Sequence, residues 1–187
     1  TGNQLRLLGT TGDNAKTGGD GYHTNVDHGN KLDAYNNISK VIKACSADIV
    51  KLEIDEKNIN IVEYLIAKNV PLCAHIGLLP QTVKSESGYR KYGKSKKEAD
   101  MIYEVAMKLD EIGVKIILLE CVEHTLAKKI TKKCNAPVIG IGSGNRLDGQ
   151  VAVIYDLLGI SFNKISTLTL KEPTVFKDII KKFKKDI

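Results

Sequence analysis

The sequence predicts an α/β protein of the (β/α)8 TIM-barrel type, and three observations carry that expectation. Strand-like apolar runs and amphipathic helical stretches alternate strictly, four times over, from residue 32 onward. Such alternation specifies parallel strands joined by crossover helices, in an open doubly wound sheet or a barrel. No GxGxxG follows the first strand and no GxxxxGK[ST] occurs anywhere, so the nucleotide-binding open sheets lose weight. The polar residues then decide. Lys51 and Glu53 close the first strand, His75 sits late in the second, Glu120 ends the third, and Ser143 and Asn145 follow the fourth. Polar groups delivered at the C-terminal ends of successive strands are the site geometry of a barrel. An open sheet concentrates them at one switch point.

The elements follow in order. Residues 1–31 are rich in Gly, Asn, Asp and Thr, and read as an irregular segment with at most one short strand near Leu5, Leu7 and Leu8. His23, His28, Asp20 and Asp27 fall in this stretch, at spacings that fit no compact set of metal ligands, so a solvated loop is the better reading. From Leu32 the chain becomes rhythmic: Ala34, Ile38, Val41, Ile42 and Cys45 recur at helical spacing, and 48–53 (DIVKLE) reads as a strand. Ile59, Val62, Leu65 and Ile66 make a second helix ended at Asn69, and 71–78 (PLCAHIGL) a second strand. A capping box, Ser95 to Glu98, opens a long helix that Gly113 stops. The run KIILLE, 115–120, is apolar until its final glutamate and reads as a strand buried on both faces. A helix through Leu126, Ala127 and Ile130 leads to the strand 137–142. Helices are expected again over 150–158 and 174–185.

Composition bounds the function. A chain of 187 residues with 42% hydrophobic and 27% charged residues suits one globular domain with a sizeable core. No apolar run approaches the roughly 20 residues of a membrane helix, and no signal-peptide pattern opens the chain, so a cytoplasmic protein that does not engage membranes is expected. Cys45, Cys73, Cys121 and Cys134 are widely spaced within or beside apolar segments, which predicts buried thiols rather than disulfides or zinc ligands. The net charge of +6 lacks the clustered basic face with stacking aromatics that a nucleic-acid partner wants. A basic mouth for acidic small molecules explains it better.

The chemistry gathers on three residues. Glu53 and Glu120 are expected on one rim, two strands apart, where one carboxylate holds a hard divalent cation and the other moves a proton. Lys51, two residues before Glu53, shares its face of the strand and suits the carboxylate of an organic acid. Each has a plainer alternative: a buried Lys51–Glu53 ion pair, or a Glu120 that caps the next helix. His75 reads as a core histidine donating to a backbone carbonyl. Asp148 reads equally as a helix cap or a ligand contact.

Several blocks together carry a resemblance. AHIGLLPQTV at 74–83, GYRKYGK at 88–94, LLECV at 118–122 and PVIGIGSGNRLDGQVAVIYDLLG at 137–159 resemble the signature blocks of the ketopantoate hydroxymethyltransferase family. DIVKLE is similar to that family's strand carrying a lysine and a glutamate. The resemblance implies a barrel that uses Mg2+ and 5,10-methylenetetrahydrofolate to convert 3-methyl-2-oxobutanoate into 2-dehydropantoate, in pantothenate biosynthesis. It implies Glu120 as proton acceptor, Lys51 as substrate-binding residue and Glu53 as metal-associated residue. The family's upstream strands carry an Asp-Ser pair and a second aspartate; the first block is not seen, and Asp20 or Asp27 could stand for the second. Residues 1–31 are thus expected as an irregular segment and 32–187 as a barrel portion incomplete at its N-terminal side, assembling as a homo-oligomer. Two alternatives stay open: a degenerate member serving as scaffold or oligomer partner, and a related barrel lyase or mutase acting on another 2-oxo acid.

Overall fold

The structure, a computed structural model, describes residues 7–9, 31–80 and 90–152. Six strands make one parallel sheet in the order in which the chain forms them: β1 (Leu7–Gly9), β2 (Ile49–Glu53), β3 (Leu72–Gly77), β4 (Ile116–Glu120), β5 (Val138–Ile141) and β6 (Gly149–Gln150). The helices α1 (Lys31–Cys45), α2 (Ile59–Ala67), α3 (Lys96–Ile112) and α4 (His124–Thr131) connect β1 through β5 in turn.

Side-chain alternation along the strands sorts the sheet into two faces. Val50, Leu52, Leu72, Ala74, Ile76, Ile117, Leu119 and Val138 point to one side and join a single buried cluster with Ala34 and Ile38 of α1, Val62 and Leu65 of α2, Ala106 and Leu109 of α3, and Ala127 and Ile130 of α4. All four helices therefore pack on the same face. The opposite face carries a smaller apolar cluster of Ile49, Cys73 and Leu118, with Ile116, Ile139 and Ile141 packed against it. Sequential strand order with every helix on one side is the winding of a barrel wall; a doubly wound sheet reverses its order and divides its helices between both faces. The α/β parallel class is the one the sequence predicts. The smaller cluster faces what would be the barrel lumen.

Local chemistry explains the boundaries. Ser95 opens α3, its Oγ accepting the N–H of Glu98 at 3.3 Å. The other half of the predicted capping box does not form: the Glu98 carboxylate turns to Arg90 and to the N–H of Gly93 instead. Gly113 ends α3 in the left-handed region (φ 94°), its N–H donating to the carbonyls of Leu109 and Asp110. Glu123 caps α4 by accepting from the N–H groups of Thr125 and Leu126. The Asp110 carboxylate accepts from the N–H groups of Asn135 and Ala136, which ties the end of α3 to the approach of β5.

The sequence reading needs two corrections here. Gln150 does not begin a helix: Gly149–Gln150 pairs with Ile139 and Gly140 as the short parallel strand β6. Asp148 does not cap a helix: its carboxylate accepts the N–H of Val138 at 2.8 Å and so ties the β5–β6 connection back to the start of β5. The helices expected over 153–158 and 174–185 lie outside the described residues, as do Asp20, His23, Asp27 and His28. No helix among the described residues is long and apolar enough to cross a membrane.

Candidate active site

The lumen face holds the polar residues. Strand registers place Lys51 level with Cys73 and Ile116, Glu53 level with His75, Leu118 and Ile139, and Gly77 level with Glu120 and Ile141. Lys51, Glu53, His75 and Glu120 thus share one surface near the C-terminal ends of three adjacent strands. Glu53 and Glu120 stand two strand spacings apart, about 10 Å across the sheet. Glu53 is buried, 8% exposed, and His75 is fully buried. The side chain of Glu120 is 12% exposed.

His75 departs from its sequence reading. It is a core histidine, but it faces no backbone acceptor: its Nε2 lies 3.1 Å from Oε2 of Glu120. The approach is close without being aligned, since neither ring nitrogen makes a well-formed hydrogen bond among the described residues. Sequence reasoning missed this contact because it depends on the register between β3 and β4. The available signal was the place of His75 late in its strand, near the rim where Lys51, Glu53 and Glu120 are expected.

The main chain around Glu120 is held from several sides. Leu78 N–H donates to the Glu120 carbonyl at 2.8 Å, and Cys121 N–H to the Ile141 carbonyl at 2.9 Å. Cys121 itself adopts φ 52°, a left-handed conformation that turns the chain away immediately beyond the strand. Tyr92 then bridges to this turn, its N–H donating to Cys121 O and its carbonyl accepting from Glu123 N–H. Arg90 stacks over the Tyr92 ring at 4.3 Å from its centroid and pairs with Glu98, which fixes this loop on α3. That hydrogen bond to Arg90 lowers the Glu98 pKa from its ordinary value. Lys91, which the sequence does not single out, donates its ammonium to the Gly142 carbonyl at the end of β5.

Ser143 turns out to be a clasp. Its buried hydroxyl donates to Leu119 O at 2.7 Å and accepts from Val122 N–H at 3.0 Å, bracketing Glu120 in sequence. Ser143→Ala leaves the buried Val122 donor unmatched, and is expected to lower unfolding stability by about 1–3 kcal/mol in urea titration. A loss well under 1 kcal/mol would show that water or a backbone shift takes over the hydroxyl's role.

Of the thiols predicted to be buried, Cys73 and Cys121 are buried and Cys134 is half-buried, while the side chain of Cys45 lies outside the described residues. Cys73, Cys121 and Cys134 stand outside any disulfide. Burial pushes the Cys73 thiol up to about 12, while the nearby Lys51 ammonium pulls the other way. Cys73 is therefore a packing residue of the lumen face rather than a nucleophile.

No three His, Cys, Asp or Glu side chains are grouped to hold a metal among the described residues. Glu53 is the buried carboxylate of this face that could hold Mg2+ in the one-carboxylate mode, in which water and substrate oxygens are the remaining ligands.

Residues 25–187 match the family described as ketopantoate hydroxymethyltransferase. The 3-methyl-2-oxobutanoate hydroxymethyltransferase of Aliivibrio fischeri (strain MJ11) is 41% identical over 157 residues, which are 82% of this chain and 59% of that protein. The protein of that name from Vibrio cholerae serotype O1 (strain M66-2) is 40% identical over the same shares. A third relative, 3-methyl-2-oxobutanoate hydroxymethyltransferase 2 of Aliivibrio fischeri (strain ATCC 700601 / ES114), is 45% identical over 127 residues, 68% of this chain and 48% of its own length. The chain spans 59% of the length of the first two relatives.

Proposed function

The chain belongs to the ketopantoate hydroxymethyltransferase family, and from that premise we propose that it transfers a hydroxymethyl group from 5,10-methylenetetrahydrofolate to 3-methyl-2-oxobutanoate, giving 2-dehydropantoate for pantothenate biosynthesis. The observation that carries this reading is the shared lumen face. A cation, Lys51, and two carboxylates, Glu53 and Glu120, lie on that one surface near the strand ends.

The reaction asks for three things. The keto acid must be held by its carboxylate, the proton on C3 must be removed, and negative charge developing on the keto oxygen must be stabilised. Lys51 suits the first task, an ammonium on a half-buried strand position that pairs with the substrate carboxylate. Glu120 suits the second: its carboxylate stands at the mouth of the lumen face, partly open and backed by a fixed main chain. Glu53 would hold the Mg2+, which when bound supplies electrostatic stabilisation to the keto oxygen. With the proton on Glu120, the C3 carbon forms its new bond to the one-carbon unit of the folate. A water supplies the hydroxyl as the two carbon–nitrogen bonds of the one-carbon unit break, and the folate nitrogens take up the C3 proton from Glu120 and the remaining proton of the water, so that tetrahydrofolate leaves.

Proton NMR in D2O tests the reading. Incubation with 3-methyl-2-oxobutanoate and Mg2+ is expected to replace the C3 proton by deuterium, and adding the folate to yield 2-dehydropantoate. A folded chain that neither exchanges the proton nor forms product would overturn the assignment and favour a scaffold role. Exchange followed by another product would favour lyase or mutase chemistry.

A further inference from the structure

We propose that His75 is a positioning residue for Glu120. Its Nε2–H would hold one carboxylate oxygen, so that the other is presented to the C3 proton of the substrate. This deepens the reading above and rests on it.

Four observations converge. His75 is fully buried on the lumen face, where a polar ring costs free energy unless it is hydrogen-bonded. The carboxylate it meets is that of Glu120, at 3.1 Å through Nε2 and Oε2. Gly77, two residues beyond His75 on the same face, stands directly beside Glu120. That register sets the His75 and Glu120 side chains diagonally across adjacent strands. The backbone of Glu120 is already pinned by Leu78, and by the link from Cys121 to Ile141, so the carboxylate is the remaining freedom at this position.

The present contact is short but misaligned. A catalytic hydrogen bond of this kind commonly tightens only when substrate arrives. A carboxylate has two oxygens and only accepts, so one can be tethered by an N–H donor while the other takes a proton. An untethered Glu120 would rotate between arrangements, and a displacement near 1 Å at a reacting group costs about 100-fold in rate.

The test compares three substitutions of one side chain in the full chain. His75→Gln keeps an N–H donor near the place of Nε2, His75→Asn carries its amide too short to reach, and His75→Leu has no donor. Leu and Asn are expected to lower kcat for C3 exchange about 100-fold with KM for the keto acid unchanged, and Gln to stay within about tenfold of wild type. Equal losses in all three variants, or a loss confined to KM, would overturn the proposal. A second arm needs no turnover. Nitrogen-15 NMR of the histidine-labelled chain is expected to show His75 protonated at Nε2, and its signal should move in Glu120→Ala. Protonation at Nδ1 alone, or no response to that substitution, would overturn the contact even if the Leu variant fails to fold. A wild-type chain without exchange defeats the functional reading and the role of His75 with it. Exchange in wild type with a silent His75 defeats only the positioning role.

Discussion

Glu120→Gln is expected to lower the rate of C3 proton exchange in 3-methyl-2-oxobutanoate by about 100- to 10,000-fold, the range in which a positioned general base contributes. Glutamine keeps the length and nearly the shape of glutamate, and its carbonyl can still accept from the Nε2–H of His75. What disappears is the basic carboxylate. The backbone contacts of residue 120, from Leu78 and on to Ile141 through Cys121, do not depend on the side chain and should persist. The variant should therefore fold, with a circular-dichroism spectrum and melting temperature close to wild type. Exchange within tenfold of wild type would remove Glu120 as the base and leave it as a partner of His75.

Gly77→Ala is expected to be among the most destabilising small substitutions at this site, by about 2–5 kcal/mol in denaturant titration, through strain and overpacking together. Gly77 sits at φ 98°, which L side chains rarely adopt. A Cβ there would overlap the carbonyl oxygen of Glu120 and lie 2.7 Å from Cγ2 of Val122. Neither obstacle can yield cheaply, because that carbonyl is bonded to Leu78 and Val122 is fully buried. Relief would push the end of β4 away and displace the carboxylate with it, so activity should fall along with stability. A variant as stable as wild type would mean that the end of β3 adapts more than this packing allows.

The parts of the fold that were legible are those with enough residues to show a period. The strands at 49–53, 72–77, 116–120 and 138–141, and the helices between them, were readable from alternation and helical spacing. β1 falls where the sequence allows at most one short strand, near Leu5, Leu7 and Leu8, while β6 was not legible, for two residues cannot display a rhythm. Lys51, Glu53 and Glu120 could be placed on one rim from their positions at the C-terminal ends of their strands, but their roles came from the resemblance of DIVKLE and LLECV to family blocks. The contact from His75 to Glu120 was out of reach. The two residues are far apart in sequence, and their register is set by how α3 and its flanking loops close the crossover. Ser143 was visible as a polar residue after a strand. Its part as a clasp was not, because a serine in a glycine-rich loop has many possible partners.

Because, among the described residues, each strand pairs only with its sequence neighbours, this part of the sheet behaves as a zipper whose teeth are whole βα units. In such a linear array, opening spreads inward from the ends, where a short strand has one partner to lose, while interior pairs give way last. β3 and β4 are interior and share the longest register in the sheet, five residue pairs. The two side chains that meet most closely on the lumen face thus ride on the seam that thermal fraying reaches late. Insertions or losses at either margin of the array would reach His75 and Glu120 only after the intervening strands had come apart.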